Sequence, residues 1–216
     1  MQFHRAVLLG SLLIGGSSAS YATTPAHGNA DAGAQKAFAC AACHGLDGNS
    51  SSPQFPTLAA QNAEYIAAQL QAFKDGRRAN QIMLGMASTL SPQDMRDIAA
   101  HFASQKSEPV TVSTAASALG SKLFHDGNPE HRVPACTACH GADGQGIPGT
   151  APRLAGQQPE YLRNVLGAWQ AGTTWGESAR AQVMPRIAKQ LSAADVSALA
   201  DYITQMPSAA AAPTHK

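Results

Sequence analysis

The chain holds four cysteines in 216 residues, and all four fall in two copies of one pattern. Cys40-Ala41-Ala42-Cys43-His44 and Cys136-Thr137-Ala138-Cys139-His140 each read C-x-x-C-H. Two thiols one helical turn apart, followed at once by an imidazole, form the attachment signature of c-type haem. The thiols add to the two porphyrin vinyl groups, and the histidine supplies the proximal nitrogen to the iron. Two disulfides would be the ordinary expectation for an exported protein, but they give no reason for a histidine after each second cysteine. Zinc would favour the two pairs close together. Here 92 residues lie between Cys43 and Cys136, enough for a small domain around each motif. The expectation is two covalent haems, one on Cys40 and Cys43, the other on Cys136 and Cys139, with His44 and His140 as axial ligands.

The N-terminus carries the features of an export signal. His4 and Arg5 precede an apolar run over 6–14, small residues follow, and Ser20-Tyr21-Ala22 offers a cleavage site. Residues 1–22 therefore read as a signal peptide, too short in its apolar part to span a bilayer, and no later segment approaches that length. Removing them takes away Arg5 and leaves 14 basic against 14 acidic residues. That balance argues against nucleic acid as a partner. Alanine supplies 43 residues while Val and Ile supply seven each, so helices joined by loops are favoured over sheet.

The chain also repeats itself. A shift of 96 lays 40–76 on 136–172, matching Pro56 to Pro152, Leu58 to Leu154, Gln61 to Gln157 and Glu64-Tyr65 to Glu160-Tyr161. Phe73 meets Trp169. Beyond Gly172 the shift becomes 101, which places five extra residues around 173–180. Two copies of one domain result, joined near 107–114: 23–108, 109–206, and a tail over 207–216. Each copy reads as three main helices. The first runs near 31–42 or 114–125; the second begins near Ala63 or Pro159, where proline suits the first helical position. The last opens at Ser91 or Ser192, each with aspartate three residues on as a capping pair. Ile66, Leu70 and Phe73, or Leu162, Leu166 and Trp169, share a helical face.

A sixth iron ligand separates a carrier from an enzyme, since an empty position permits binding chemistry. Met83, Met86 and Met95 lie in the first copy, Met184 and Met206 in the second. Only Met83 and Met184 are related by the repeat, each eight residues before the serine of the last helix and in the loop leading to it. Met86 matches Ile187, which cannot ligate iron; Met86, Met95 and Met206 read as core or pocket lining. His101 aligns with Tyr202 on the last helix and reads as a partly exposed helix residue. His125 and His131 flank an insertion that the first copy lacks, where capping a haem edge is the alternative to ligation. Pro56 and Pro152 are either plain turn prolines or donors of a carbonyl that orients the proximal histidine.

At this point the chain resembles the dihaem cytochrome c4 family of periplasmic electron carriers. The likeness rests on the tandem C-x-x-C-H sites, the run His44-Gly45-Leu46-Asp47-Gly48-Asn49, and the segments Phe55-Pro56-Thr57-Leu58 and Ala151-Pro152-Arg153-Leu154. A Met-x6-Leu-Ser approach to each last helix completes it. It implies an all-α chain of two tandem cytochrome c-like domains, each about three main helices plus loops around one covalent haem. It further implies His/Met ligation by His44 with Met83 and His140 with Met184, and haems close enough to exchange electrons. The implied partners are redox proteins, membrane-bound complexes that oxidise quinol or reduce oxygen, met without a transmembrane span in the mature chain. The insertion over 125–133 and a nearly neutral second-haem loop depart from the family pattern. Three functions compete: a one-electron shuttle with no chemistry of its own, a cytochrome subunit of a periplasmic dehydrogenase, and a dihaem peroxidase. The matched methionines weigh against the peroxidase.

Overall fold

The computed structural model describes residues 27–110 and 117–207. The expected signal peptide, most of the tail and part of the join lie outside the described residues. Helices dominate. Among the described residues the only β pairing is two isolated antiparallel bridges, Asn128 with Val133 and Ile147 with Ala151. No helix among them is long and apolar enough to cross a membrane.

The first copy contains α1 (Ala30–Lys36), a 3-10 turn (Ala37–Cys40), α2 (Ala41–His44), α3 (Ala63–Lys74), α4 (Gln81–Ser88) and α5 (Pro92–Ser104). The second repeats it as α6 (Ala118–Asp126), α7 (Thr137–His140), α8 (Pro159–Gln170), α9 (Val183–Ala188) and α10 (Ala193–Thr204). Each last helix begins with the expected box: Ser91 and Ser192 accept the N–H of Asp94 and Asp195, and each aspartate accepts its serine's N–H in return. Helices α3 and α8 start 96 residues apart and α5 and α10 start 101 apart, so the five extra residues fall between α8 and α9.

Two departures from the sequence expectation concern helix number and extent. Met83 and Met184 stand in short helices, not in a loop. Asn80 caps the first by accepting the N–H of Met83 at 2.9 Å, a local signal that repeat counting does not read. The first helix of the second copy starts at Ala118, where Ser117 accepts the N–H of Gly120.

Each copy has its own core. Ile66 and Leu70 of α3 meet Met95, Ile98, Ala99 and Phe102 of α5. In the second copy Leu162, Leu166 and Trp169 meet Val196, Leu199 and Ile203, and Leu123 and Phe124 of α6 join them. The first and last helices of each copy cross at a glycine. A Cβ on Gly33 would lie 1.9 Å from the Asp97 carbonyl oxygen, and one on Gly120 would lie 2.0 Å from that of Ala198. An ion pair clasps the first crossing: Lys36 reaches both Asp94 and Asp97 at 2.6 Å.

The copies meet across a polar seam. Gln61 and Gln157, related by the repeat, each reach into the opposite copy and bond both main-chain groups of one residue there. Gln157 Oε1 accepts the Thr57 N–H (2.8 Å) and its Nε2 donates to the Thr57 carbonyl (3.0 Å). Gln61 does the same to Arg153, at 2.8 and 2.9 Å. Beside this seam the Arg78 guanidinium lies 3.7 Å over the Trp175 ring and 4.5 Å from the centre of Phe73, and donates to Gln69 and the Tyr161 hydroxyl. Trp175 stands in the five-residue insertion, so that loop reaches the other copy.

Candidate haem sites

The 3-10 turn and α2 wind Cys40 through His44 into one helical stretch, and α7 does so for the second motif. No disulfide joins the four cysteines. Burial pushes the Cys40 thiol up, with Cys43 adding to the effect, and raises Cys136 to about 11.

Both histidines are buried, His44 at 7% exposed and His140 at 5%. His44 Nδ1 lies 2.9 Å from the Pro56 carbonyl, and His140 Nδ1 lies 2.9 Å from that of Pro152. A carbonyl can only accept, so Nδ1 carries the proton and Nε2 keeps its lone pair. Of the two readings of these prolines, the structure takes the carbonyl that orients the ring. Burial lowers both histidine pKa values, opposed by the bond to the proline carbonyl, so each imidazole is neutral. A neutral ring with a fixed tautomer is the state in which histidine binds metal. Phe55 adds an edge contact to His44, with ring centres 6.2 Å apart.

Met83 and Cys40, both half-buried, flank the first core cluster, and Met184 and Cys136 flank the second. Each half therefore brings its motif and its repeat-related methionine to the same apolar body. Met95 and Met206 are buried core residues, while Met86 is half-buried. His125 lies against Tyr202, its Nε2 2.8 Å from the phenol oxygen, and His131 is exposed in the turn at 129–131. His101 is half-buried on α5.

The residues fit the group that the motifs imply. Trp169 Nε1 and Arg153 Nη2 are buried donors with no hydrogen-bond partner among the described residues. Trp169 belongs to the cluster beside Cys136 and Met184, and Arg153 follows the proline that serves His140. Buried donors left unanswered carry a large penalty, and the two carboxylates of a haem's propionates are acceptors suited to them. Sequence reasoning missed Gln61 and Gln157 as parts of this arrangement. Their one signal was position: each stands 17 residues after its motif's histidine.

Fold and sites together define, over the described residues, a mostly helical protein with two repeat-related haem c sites. Residues 30–106 and 117–207 match the family model for cytochrome c. A cytochrome c4 of Pseudomonas aeruginosa is 41% identical over 179 residues, covering 82% of this chain and 89% of that protein. The crystal structure of reduced recombinant cytochrome c4 from Pseudomonas stutzeri superposes with a TM-score of 0.77 at 38% identity, covering 83% of this chain and all of that one. A thiosulfate dehydrogenase electron acceptor of Stutzerimonas stutzeri is 36% identical over 174 residues, covering 79% of this chain and 80% of its own length. The chain belongs to the cytochrome c family, in its cytochrome c4 branch. It is a dihaem electron carrier with two covalently bound haem c groups.

Proposed function

We propose that the protein works in the periplasm as a shuttle of single electrons, from a quinol-oxidising complex to a terminal oxidase. In this reading Cys40, Cys43, His44 and Met83 would hold the first haem, and Cys136, Cys139, His140 and Met184 would hold the second. Bound haem supplies the one-electron ferric/ferrous couple. The protein's residues do the rest. Pro56 and Pro152 hold the imidazoles in the Nδ1–H tautomer. Met83 and Met184, at one register beside the two apolar clusters, would each supply a thioether to the iron, and those clusters would keep water from it. The observation that carries the reading is this duplication, a neutral oriented histidine with a matched thioether in each half. With a histidine and a thioether supplied to each iron, no position would be left for a substrate, which weighs against a peroxidase.

Met83→Ala and Met184→Ala should each remove about half of the weak red-edge absorption of methionine-ligated ferric haem and lower that haem's potential. Met86→Ala should leave both unchanged. Loss of the band in Met86→Ala with retention in Met83→Ala would overturn the first-copy assignment. A second reading, an electron-accepting subunit of a periplasmic dehydrogenase, draws on the likeness to thiosulfate dehydrogenase electron acceptors. Stopped-flow reduction by such a dehydrogenase, compared with reduction by quinol-oxidising membranes, discriminates the two.

A further inference from the structure

Each proximal histidine ends a hydrogen-bonded relay that begins in the opposite copy. The Pro56 carbonyl that accepts from His44 and the Thr57 N–H that donates to Gln157 belong to one peptide unit. In the second copy, the Pro152 carbonyl that accepts from His140 shares its peptide with the Arg153 N–H that donates to Gln61. A peptide unit is planar, with C=O and N–H opposed, so fixing its N–H also aims its carbonyl. Donation from that N–H polarises the carbonyl and makes it a stronger acceptor. The glutamines are themselves braced. Gln61 Oε1 also accepts the Asn62 N–H, and Gln157 Oε1 accepts that of Gln158. Thr57, Arg153, Gln61 and Gln157 are all buried, so water does not compete for these bonds.

We infer that Gln61 and Gln157 are crossed positioning residues: each sets the electron-donating strength of the proximal histidine in the other copy. The inference rests on His44 and His140 being the proximal ligands. Gln157 governs His44, through the Pro56–Thr57 peptide, and Gln61 governs His140, through the Pro152–Arg153 peptide. A stronger acceptor at Nδ1–H makes the imidazole a better donor and favours ferric iron. Removing a glutamine therefore raises the potential of the haem in the opposite copy and leaves its own copy's haem nearly untouched. A residue that merely glued the interface would disturb both haems alike.

The test uses the full holoprotein with Gln157→Met and Gln61→Met, which keep side-chain length and lose the hydrogen bonds. Spectroelectrochemical titration gives the two potentials. Paramagnetic NMR of the haem methyl and axial methionine resonances, assigned through neighbouring side chains, tells which haem has moved. With Gln157→Met, the ferric-to-ferrous ratio of the first haem at fixed ambient potential should fall by up to about fivefold, the equivalent of one net hydrogen bond. With Gln61→Met the second haem should respond instead. If a methionine variant does not accumulate as holoprotein, Gln157→Asn and Gln61→Asn, one methylene too short to span the seam, should give the same crossed pattern. A shift in the variant's own copy, an equal shift in both haems, or no shift in either overturns the inference. His44→Ala and His140→Ala separate the two levels of argument. If they leave both haems low-spin, the ligand assignment fails; if they do not and the crossed shifts are absent, only the relay fails.

Discussion

Replacing Gly33 with alanine tests one of the closest backbone approaches in the fold. The added Cβ would meet the Asp97 carbonyl oxygen at 1.9 Å and the His101 Cβ at 2.9 Å. A carbon–oxygen contact settles at about 3.3 Å, so α5 would have to retreat from α1 by more than about 1 Å. The obstruction is backbone and cannot rotate aside. Retreat would open the seam where Ala37, Ile98 and Phe102 are buried. Overpacking of this kind costs about 3 kcal/mol, the upper part of the usual range. Alanine returns about 1 kcal/mol through its better helix propensity. The net expectation is a loss of about 2 kcal/mol, the difference of those two figures. Gly167 supplies the control. It lies within α8, nothing would stand within 4 Å of a Cβ there, and its counterpart in the first copy is Gln71. Gly167→Ala should therefore stabilise, by up to about 1 kcal/mol. Urea unfolding of both holoprotein variants, followed by circular dichroism, should move the midpoints in opposite directions. A Gly33→Ala midpoint equal to or above that of the parent would refute the close crossing.

Acid stability should depend on Asp97, which is 3% exposed and accepts from the Asn29 N–H, Lys36 and Gln93. Burial, the largest influence, pushes its carboxyl up, but these donors together hold it below the ordinary range; Lys36 first, then Ser91, holds Asp94 well below it. Carboxyls lowered on folding add stability above their unfolded pKa of about 3.9 and lose it as pH falls through the folded value. Stability should therefore decline below about pH 4. Asp97→Asn should lower stability at neutral pH and flatten the acid limb, as read from urea midpoints across that window. At the seam, Arg78→Met leaves the Tyr161 hydroxyl and Gln69 without their donor and removes a cation from between Phe73 and Trp175. A loss of about 1–2 kcal/mol is expected, and an unchanged urea midpoint would show that the stack contributes nothing.

The residues proposed to carry the chemistry stand out in the sequence because their patterns are local. C-x-x-C-H, the serine–aspartate caps and the apolar faces of α3, α5, α8 and α10 each lie within one or two helical turns. Repeat register then singled out Met83 and Met184, since a match across 101 residues needs no knowledge of the fold. What escaped depends on contacts between distant segments. The crossing glycines Gly33 and Gly120 are equivalent in space, but the insertion over 125–133 shifts Gly120 out of the 96-residue register. Gln61 and Gln157 were visibly paired in the repeat. Their partners were not, because each bonds main-chain groups, which leave no mark on residue type at Thr57 or Arg153. Arg78 stacks on a tryptophan from a stretch with no counterpart in the first copy. The short helix around Met83 turns on a single asparagine cap that hydrophobic periodicity passes over.

The crossed glutamines give this single chain the interface of a two-fold dimer, in which residue i meets j and j meets i. A true dimer must carry every substitution twice and must find its partner by diffusion. Here the link between the halves supplies the partner at a local concentration in the millimolar range, so a small polar seam is enough to keep them together. Covalent union also releases the two halves from identity. Trp169 replaces Phe73, Arg153 replaces Thr57, and the Trp175 loop, an insertion without a counterpart in the first copy, reaches Arg78. A symmetric scaffold can in this way hold two unlike centres, each altered by substitutions that its twin never receives.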